Sequence, residues 1–273
     1  MNHVHDVLTA EPTEGDAIDR LSRVHGANEL QAAVLALLLP TGSRRALRAW
    51  QIETASTPGA ELLREHAATL SGAARLPWLE ELLSRMAVQP LAARQALLHA
   101  TRRIMGARGV ARPIDRLHWL TMRRRLGETV ALTARPEASV EVAEWLESDV
   151  LTIAIYTGFL ARMVPGGEVE GEQGRAWYDA VMSTWSPFAE VPPWQPSKAE
   201  AMVDALARMQ TLSWMQRPVI VRTWLAAALP LSRGLRLTDL AADALRLSCM
   251  LLDSPLPPDL ARHYIAMPGA SGH

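Results

Sequence analysis

The chain contains one cysteine, two phenylalanines, three tyrosines and, among its basic residues, a single lysine, Lys198. One thiol excludes an internal disulfide and fits a reducing compartment. Cys249 stands among Leu245, Leu247 and Leu252, where a small buried hydrophobe is expected rather than a reactive thiol. Long apolar runs are also missing. The two most apolar windows, Leu30 to Leu39 and Val150 to Leu160, fall well short of the ~20 residues a membrane-spanning helix needs, so both are expected to be core helices. Met1 to Asp16 carries His3, His5 and several acids where a secretion signal needs a basic start and an apolar stretch. A cytoplasmic protein is the expectation. Net charge is -1, so any attraction to nucleic acid or anionic lipid has to come from local clustering.

Catalytic signatures are missing as well. No histidine is followed by glutamate, and none has a second histidine three or four residues on. Helical zinc hydrolases need that spacing so that two imidazoles one turn apart reach one metal. No phosphate-cradling glycine loop and no Gly-x-Ser-x-Gly elbow occurs. Asp239 and Asp243 lie one helical turn apart, but two carboxylates with no glycine-rich loop read better as a dipole-favouring first-turn acid and a partner for Arg246. No catalytic, cofactor or metal residue is therefore expected. An unfamiliar helical-core enzyme site using Asp239, Asp243 or His118 stays as the weakest alternative.

What the sequence does hold is helical period. With 49% hydrophobic residues in 273, whole-chain disorder is excluded, and alternating strand patterns are missing. An all-α fold of roughly a dozen helices follows. Starts are expected at Ser43, at Thr57-Pro58, at Pro113 and at Thr238, and stops at Gly106, Gly109, Gly127, Pro165-Gly166-Gly167 and Pro255.

Two stretches echo each other. Leu82 to Met86 followed by Arg94 to Leu98 reappears as Leu206 to Met209 followed by Arg217 to Val221. Each copy then has a glycine, Gly109 or Gly234, and a second amphipathic run, Ile114 to Leu126 or Thr238 to Leu252. The expected layout is a mobile start (1–26), a first helical group (27–130), central helices with a proline-rich connection (131–195), a second group (196–267) and a Gly/Ser tail (268–273).

Arginine clusters between Arg102 and Arg125, where Asp115 is the single acid. Successive helical residues turn by ~100°, so Arg123, Arg124 and Arg125 diverge and only Arg116 and Arg123 share a face. With Arg102 and Arg103 these are the candidates for anion contact, to nucleic acid or phospholipid. The near-absence of lysine beside abundant Ala and Leu reads as a GC-rich bacterial genome. Nine tryptophans are spread along the chain, and filling gaps between crossing helices is their default use. Trp194, in the proline-rich connection, and Trp214, at a helix junction, are expected to be exposed protein-contact anchors.

The run Arg75-Leu76-Pro77-Trp78-Leu79-Glu80, the Arg94-Gln95 helix and the turn from Gly109 to Ile114-Asp115 resemble a TerB-type helical domain. The second copy, through Ala242 to Leu247 and Asp253-Ser254-Pro255-Leu256-Pro257-Pro258, resembles the extreme C-terminal region of bacterial HtpX-like membrane zinc metallopeptidases. Those peptidases carry a His-Glu-x-x-His motif, which is missing here. Arg108-Gly109 and Arg233-Gly234 also replace the Asp-Gly pair of TerB-type turns, leaving Asp115 and Asp239 as the acids. The resemblance implies a non-catalytic interaction module of a peptidase-associated type, with another protein as partner, no cofactor and no membrane-spanning segment.

Overall fold

A computed structural model describes residues 12–127, 144–166 and 171–264. Among them the chain is all-helical, with no strand: α1 (Glu14–Ser22), α2 (Ala27–Leu37), α3 (Arg44–Glu53), α4 (Ala60–Thr69), α5 (Gly72–Ala87), α6 (Leu91–Ala107), α7 (Pro113–Leu126), α8 (Glu147–Leu160), α9 (Glu172–Ser183), α10 (Ala199–Met209), α11 (Gln216–Leu231), α12 (Asp239–Leu251) and α13 (Pro258–Ala261). No helix is long and apolar enough to cross a membrane. The chain forms two compact units, dividing at Arg108/Gly109.

In the first unit α2 is the central helix. Ala32 to Leu38 is buried without a break, and α3, α4, α5 and α6 pack around it. Alanine at three of those positions lets neighbours approach closely. Trp50 of α3 then fills the space between, its Nε1 donating to Ala32 O at 3.2 Å, which satisfies the indole inside an apolar core. Residues 14–22, assigned to a mobile start on sequence, form α1. Thr13 and Asp16 make a reciprocal capping box, and Ala17, Leu21 and Val24 are fully buried. Ser43 caps α3 as its position implies. The next start is different: Thr57-Pro58 only makes a turn, and α4 begins after Gly59, whose left-handed φ of 72° places it as the cap.

The second unit has α8 packed on α9 and α10, α11 on α9 and α12, and α12 on α7. A buried polar ladder ties these helices together. Trp177 Nε1 donates to Trp224 O (3.0 Å), Trp224 Nε1 donates to Thr157 Oγ1 (2.9 Å), and the Tyr156 and Ser248 hydroxyls lie 3.0 Å apart. Burial pushes the Tyr156 phenol well above its ordinary range. Two glycines permit the closest approaches. A Cβ on Gly174 would stand 2.1 Å from Ala161 O, and one on Gly158 would stand 3.1 Å from Gln195 O. The proline-rich connection carries no helix between Val191 and Lys198. It is held along α8 and α9 by Ser197 Oγ donating to Ile155 O (2.6 Å) and Tyr178 Oη donating to Pro192 O (2.8 Å).

Both echoed stretches fold as two helices, a glycine with positive φ (Gly109, 91°; Gly234, 60°) and a third helix. The expected first group of 27–130 is divided, however. Its α7 lies past the unit boundary and packs on α12, the equivalent helix of the other copy. Residues 1–11 of the expected mobile start, 131–143 and 167–170 of the expected central segment, and the tail 268–273 lie outside the described residues.

Candidate interaction surfaces

Five arginines of this chain, Arg75, Arg85, Arg108, Arg124 and Arg217, close helix ends. The last carbonyls of an α-helix have no partner within it, and a guanidinium offers five donors in a rigid fork. Arg75 donates to Leu37 O (2.8 Å), Ala36 O (3.2 Å) and Leu39 O (3.3 Å) at the end of α2, and to Ala67 O of α4 (3.2 Å). Arg108 donates to Leu38 O in the same cluster. Arg85 closes α1 through Leu21 O, Ser22 O and Val24 O at 2.9–3.3 Å. In the second unit Arg124 donates to Leu251 O and to Asp253, Arg217 donates to Leu252 O (2.7 Å), and Gln210 adds a bond to Leu251 O (2.7 Å). Charge at a helix C-terminus is also favoured by the dipole.

The basic tract 102–125 is divided between the two units. Arg102 and Arg103 are exposed on α6, where Arg103 makes a two-point pair with Glu53, Nη2 to Oε2 at 2.6 Å. Arg112 pairs with buried Asp115 at 3.0 Å, and Asp115 also accepts from Arg112 N (3.0 Å) at the start of α7. Arg116 and Arg123 are exposed on α7 and make no side-chain hydrogen bond or ion pair among the described residues. The two acids of α12 are tied to the segment after α13. Asp239 lies 3.1 Å from His263 Nε2, Tyr264 Oη donates to Asp243 at 3.0 Å, and Arg246 sits 4.3 Å above the Tyr264 ring. His118 is half-buried on α7. Among the described residues no three His, Cys, Asp or Glu side chains are grouped to hold a metal ion.

The tryptophans divide as their surroundings dictate. Trp50, Trp78, Trp177, Trp185 and Trp224 are core. Trp194 is half-buried with its Nε1 enclosed, because the connection that carries it runs along α8 and α9. Trp214 is 59% exposed, and Met215 beside it is 45% exposed. They open a surface that sequence reasoning missed. The residues α11 exposes are Val219, Arg222, Ala226, Pro230 and Leu231, with one charge among them. Most of them recur at helical spacing with Met215, forming one outward stripe. Beside this stripe a groove of about 540 Å³ runs between α9 and α11, lined by Ala180, Thr184, Val219, Arg222, Thr223 and Ala226. Its sequence signal was the run Val219 to Leu231, where Arg222 is the one charged residue. An apolar face with a single charge can hold another apolar surface and orient it.

These features define an all-helical chain of two compact units with an exposed apolar helix face. Comparison with protein-family models, with curated proteins and with solved structures finds no match.

Proposed function

We propose that this chain is a non-enzymatic, cytoplasmic protein-interaction module that docks a partner protein on the outer face of α11. The observation that carries the reading is the composition of that face. A helix turned to water ordinarily carries charged residues on its solvent side, whereas α11 exposes Val219, Ala226, Pro230 and Leu231 with Arg222 alone charged, next to Trp214 and Met215. Aromatic and Met side chains with an arginine are the residues enriched at binding hot spots. The resemblance of the two copies to TerB-type and HtpX-like C-terminal helices supports a membrane peptidase or its stress-response complex as the partner.

Co-purification of the native chain should recover one stoichiometric protein. Val219→Asp, with unchanged far-UV circular dichroism, should abolish that recovery. Retention of the partner by Val219→Asp refutes this docking face.

Exposed Arg116 and Arg123, seven residues apart on α7, favour a second reading, contact with a polyanion. Counterion release then predicts affinity falling steeply with salt. Unchanged polyanion binding by the Arg116→Glu/Arg123→Glu double variant refutes it.

A further inference from the structure

The groove of about 540 Å³ between α9 and α11 is lined mostly by small side chains. Ala180 and Thr184 come from α9 and its C-cap, and Thr223, Ala226 and Ala227 come from α11. A close fit to such a lining needs an occupant that brings the large side chains itself. The backbone of that occupant follows from the same residues, on the reading of α11 as the docking face. An extended segment would set unpaired N–H and C=O groups against alanine and valine. The helices on either side use their own backbone groups internally, the Thr223 hydroxyl donates to Val219 O at 3.0 Å, and the described residues hold no strand edge that could pair with such a segment. A helix satisfies its backbone within itself.

Charge gives the sign of the occupant. Between Asp204 and Asp239 the chain has no acidic residue and five arginines, Arg208, Arg217, Arg222, Arg233 and Arg236. Arg217 is engaged by Leu252 O (2.7 Å) and Asp253 (3.7 Å). Arg222 lines the groove, and Arg233 and Arg236 follow in the turn after α11. All three are exposed and make no side-chain hydrogen bond or ion pair among the described residues. On α9 the acid next to Ala180 in sequence, Asp179, pairs with Arg175 at 3.9 Å. We infer that this groove receives an acidic amphipathic α-helix of the partner protein, its large apolar side chains entering between α9 and α11 and one carboxylate set against Arg222. Complementary charge fixes the register of such a helix and rejects a cationic one. A flat anionic bilayer would meet the same arginines but leave the groove unfilled, so the groove favours the helix.

The probe is a phage-displayed library of random peptides about 16 residues long, roughly 24 Å as a helix. It is selected on the full chain and counter-selected on Ala226→Trp, whose indole fills the groove from an exposed position. Enriched sequences should place large apolar residues at i, i+3 or i+4 and i+7, with Asp or Glu among them. A synthetic peptide of the leading sequence should become helical by circular dichroism when bound. Arg222→Glu should weaken it about tenfold or more, and exchanging the peptide's acid for lysine should restore affinity for that variant. Arg116→Glu, on α7, should leave binding unchanged. Enrichment of alternating or proline-broken sequences, of cationic ones, or of none beyond Ala226→Trp overturns the inference, as does binding that Arg222→Glu does not alter. Phosphatidylserine vesicles bound through Arg222 with no groove-dependent peptide give the face to a lipid surface, and a dimer dissociated by Ala226→Trp gives it to a second copy; either result also overturns it. Arg222→Glu decides the matter alone if Ala226→Trp does not fold. A native partner lost by Val219→Asp but docking through an extended or cationic segment refutes this inference and leaves the α11 reading standing, whereas a partner retained by Val219→Asp refutes that reading itself.

Discussion

Replacing Arg75 by methionine keeps the length of the side chain and removes its donors. Arg75 donates to Ala36 O, Leu37 O, Leu39 O and Ala67 O. A hydrogen bond to a charged group contributes roughly 1.5–3 kcal/mol net when it is well shielded. Arg75 is only half-buried, so water can replace part of each bond, and about 1 kcal/mol apiece is the better figure. Arg75→Met should therefore cost about 3–4 kcal/mol, a large part of the stability of an ordinary domain. Arg75→Lys should recover less than half, since a compact ammonium cannot span carbonyls from two helices as a fork does. Urea denaturation with linear extrapolation gives the free energies. Hydrogen exchange over residues 27–39 should show the loss at the end of α2. A loss under about 1 kcal/mol for Arg75→Met, or full recovery by lysine, refutes the assignment of Arg75 as the clamp of α2.

Gly174→Ala should destabilise the second unit by about 2–3 kcal/mol, because its Cβ would meet Ala161 O at 2.1 Å. Gly106→Ala, inside α6 with nothing within 4 Å, should stabilise by about 0.5–1 kcal/mol; urea midpoints of the pair test both. Glu14 accepts from Ser71 Oγ (2.7 Å) and N (2.9 Å), which holds its carboxyl below the usual range. A lowered folded pKa gives stability that is present above the unfolded value of about 4.3 and is lost as pH falls below it. Glu14→Gln should flatten the acid limb of stability against pH, and an unaltered limb contradicts this. Burial pushes the Tyr178 phenol up to about 12, so its contribution is complete below the ordinary value of about 10 and declines as pH rises through both. Ultraviolet titration should show two tyrosines, Tyr156 and Tyr178, ionising late in the native chain and becoming ordinary in urea, and Tyr178→Phe should remove one of the two.

The all-helical fold was legible because the apolar positions follow helical period and the punctuation is local. Ser43 and Thr238 each accept from the backbone three residues on, and Gly109 and Gly234 take positive φ. The windows 30–39 and 150–160 became the buried α2 and α8 for the same reason. Legibility failed where distant residues decide. The box at Thr13 makes α1 a helix, but its burial depends on packing against α4. Gly59 overrides Thr57-Pro58 through a backbone conformation that the sequence pattern does not fix. The grouping of α7 with α12 is a contact across more than a hundred residues of chain. The arginine tract was legible as charge density but not as the carbonyls and carboxylates it answers. Arg108 and Arg124 donate to carbonyls of α2 and α12, and Arg103 and Arg112 pair with Glu53 and Asp115, whereas exposed Arg116 and Arg123 make no such bond among the described residues. Trp214 was marked as an anchor, but the stripe beyond it emerges only when α11 is known to bury its opposite face on α9 and α12.

The arginine clamps also order events in time. The carbonyls ending α2 answer to Arg75 and Arg108, which a ribosome adds 38 and 70 residues after Leu37 and Leu38. A nascent chain thus carries an unfinished α2 until the whole first unit has emerged. Helix α12 has the reverse schedule, since Arg124 and Arg217 precede Leu251 and Leu252 by 127 and 35 residues. Its receiving surface stands ready when the helix arrives, so the last long helix can dock as it is made, whereas the first unit becomes stable as a single late step.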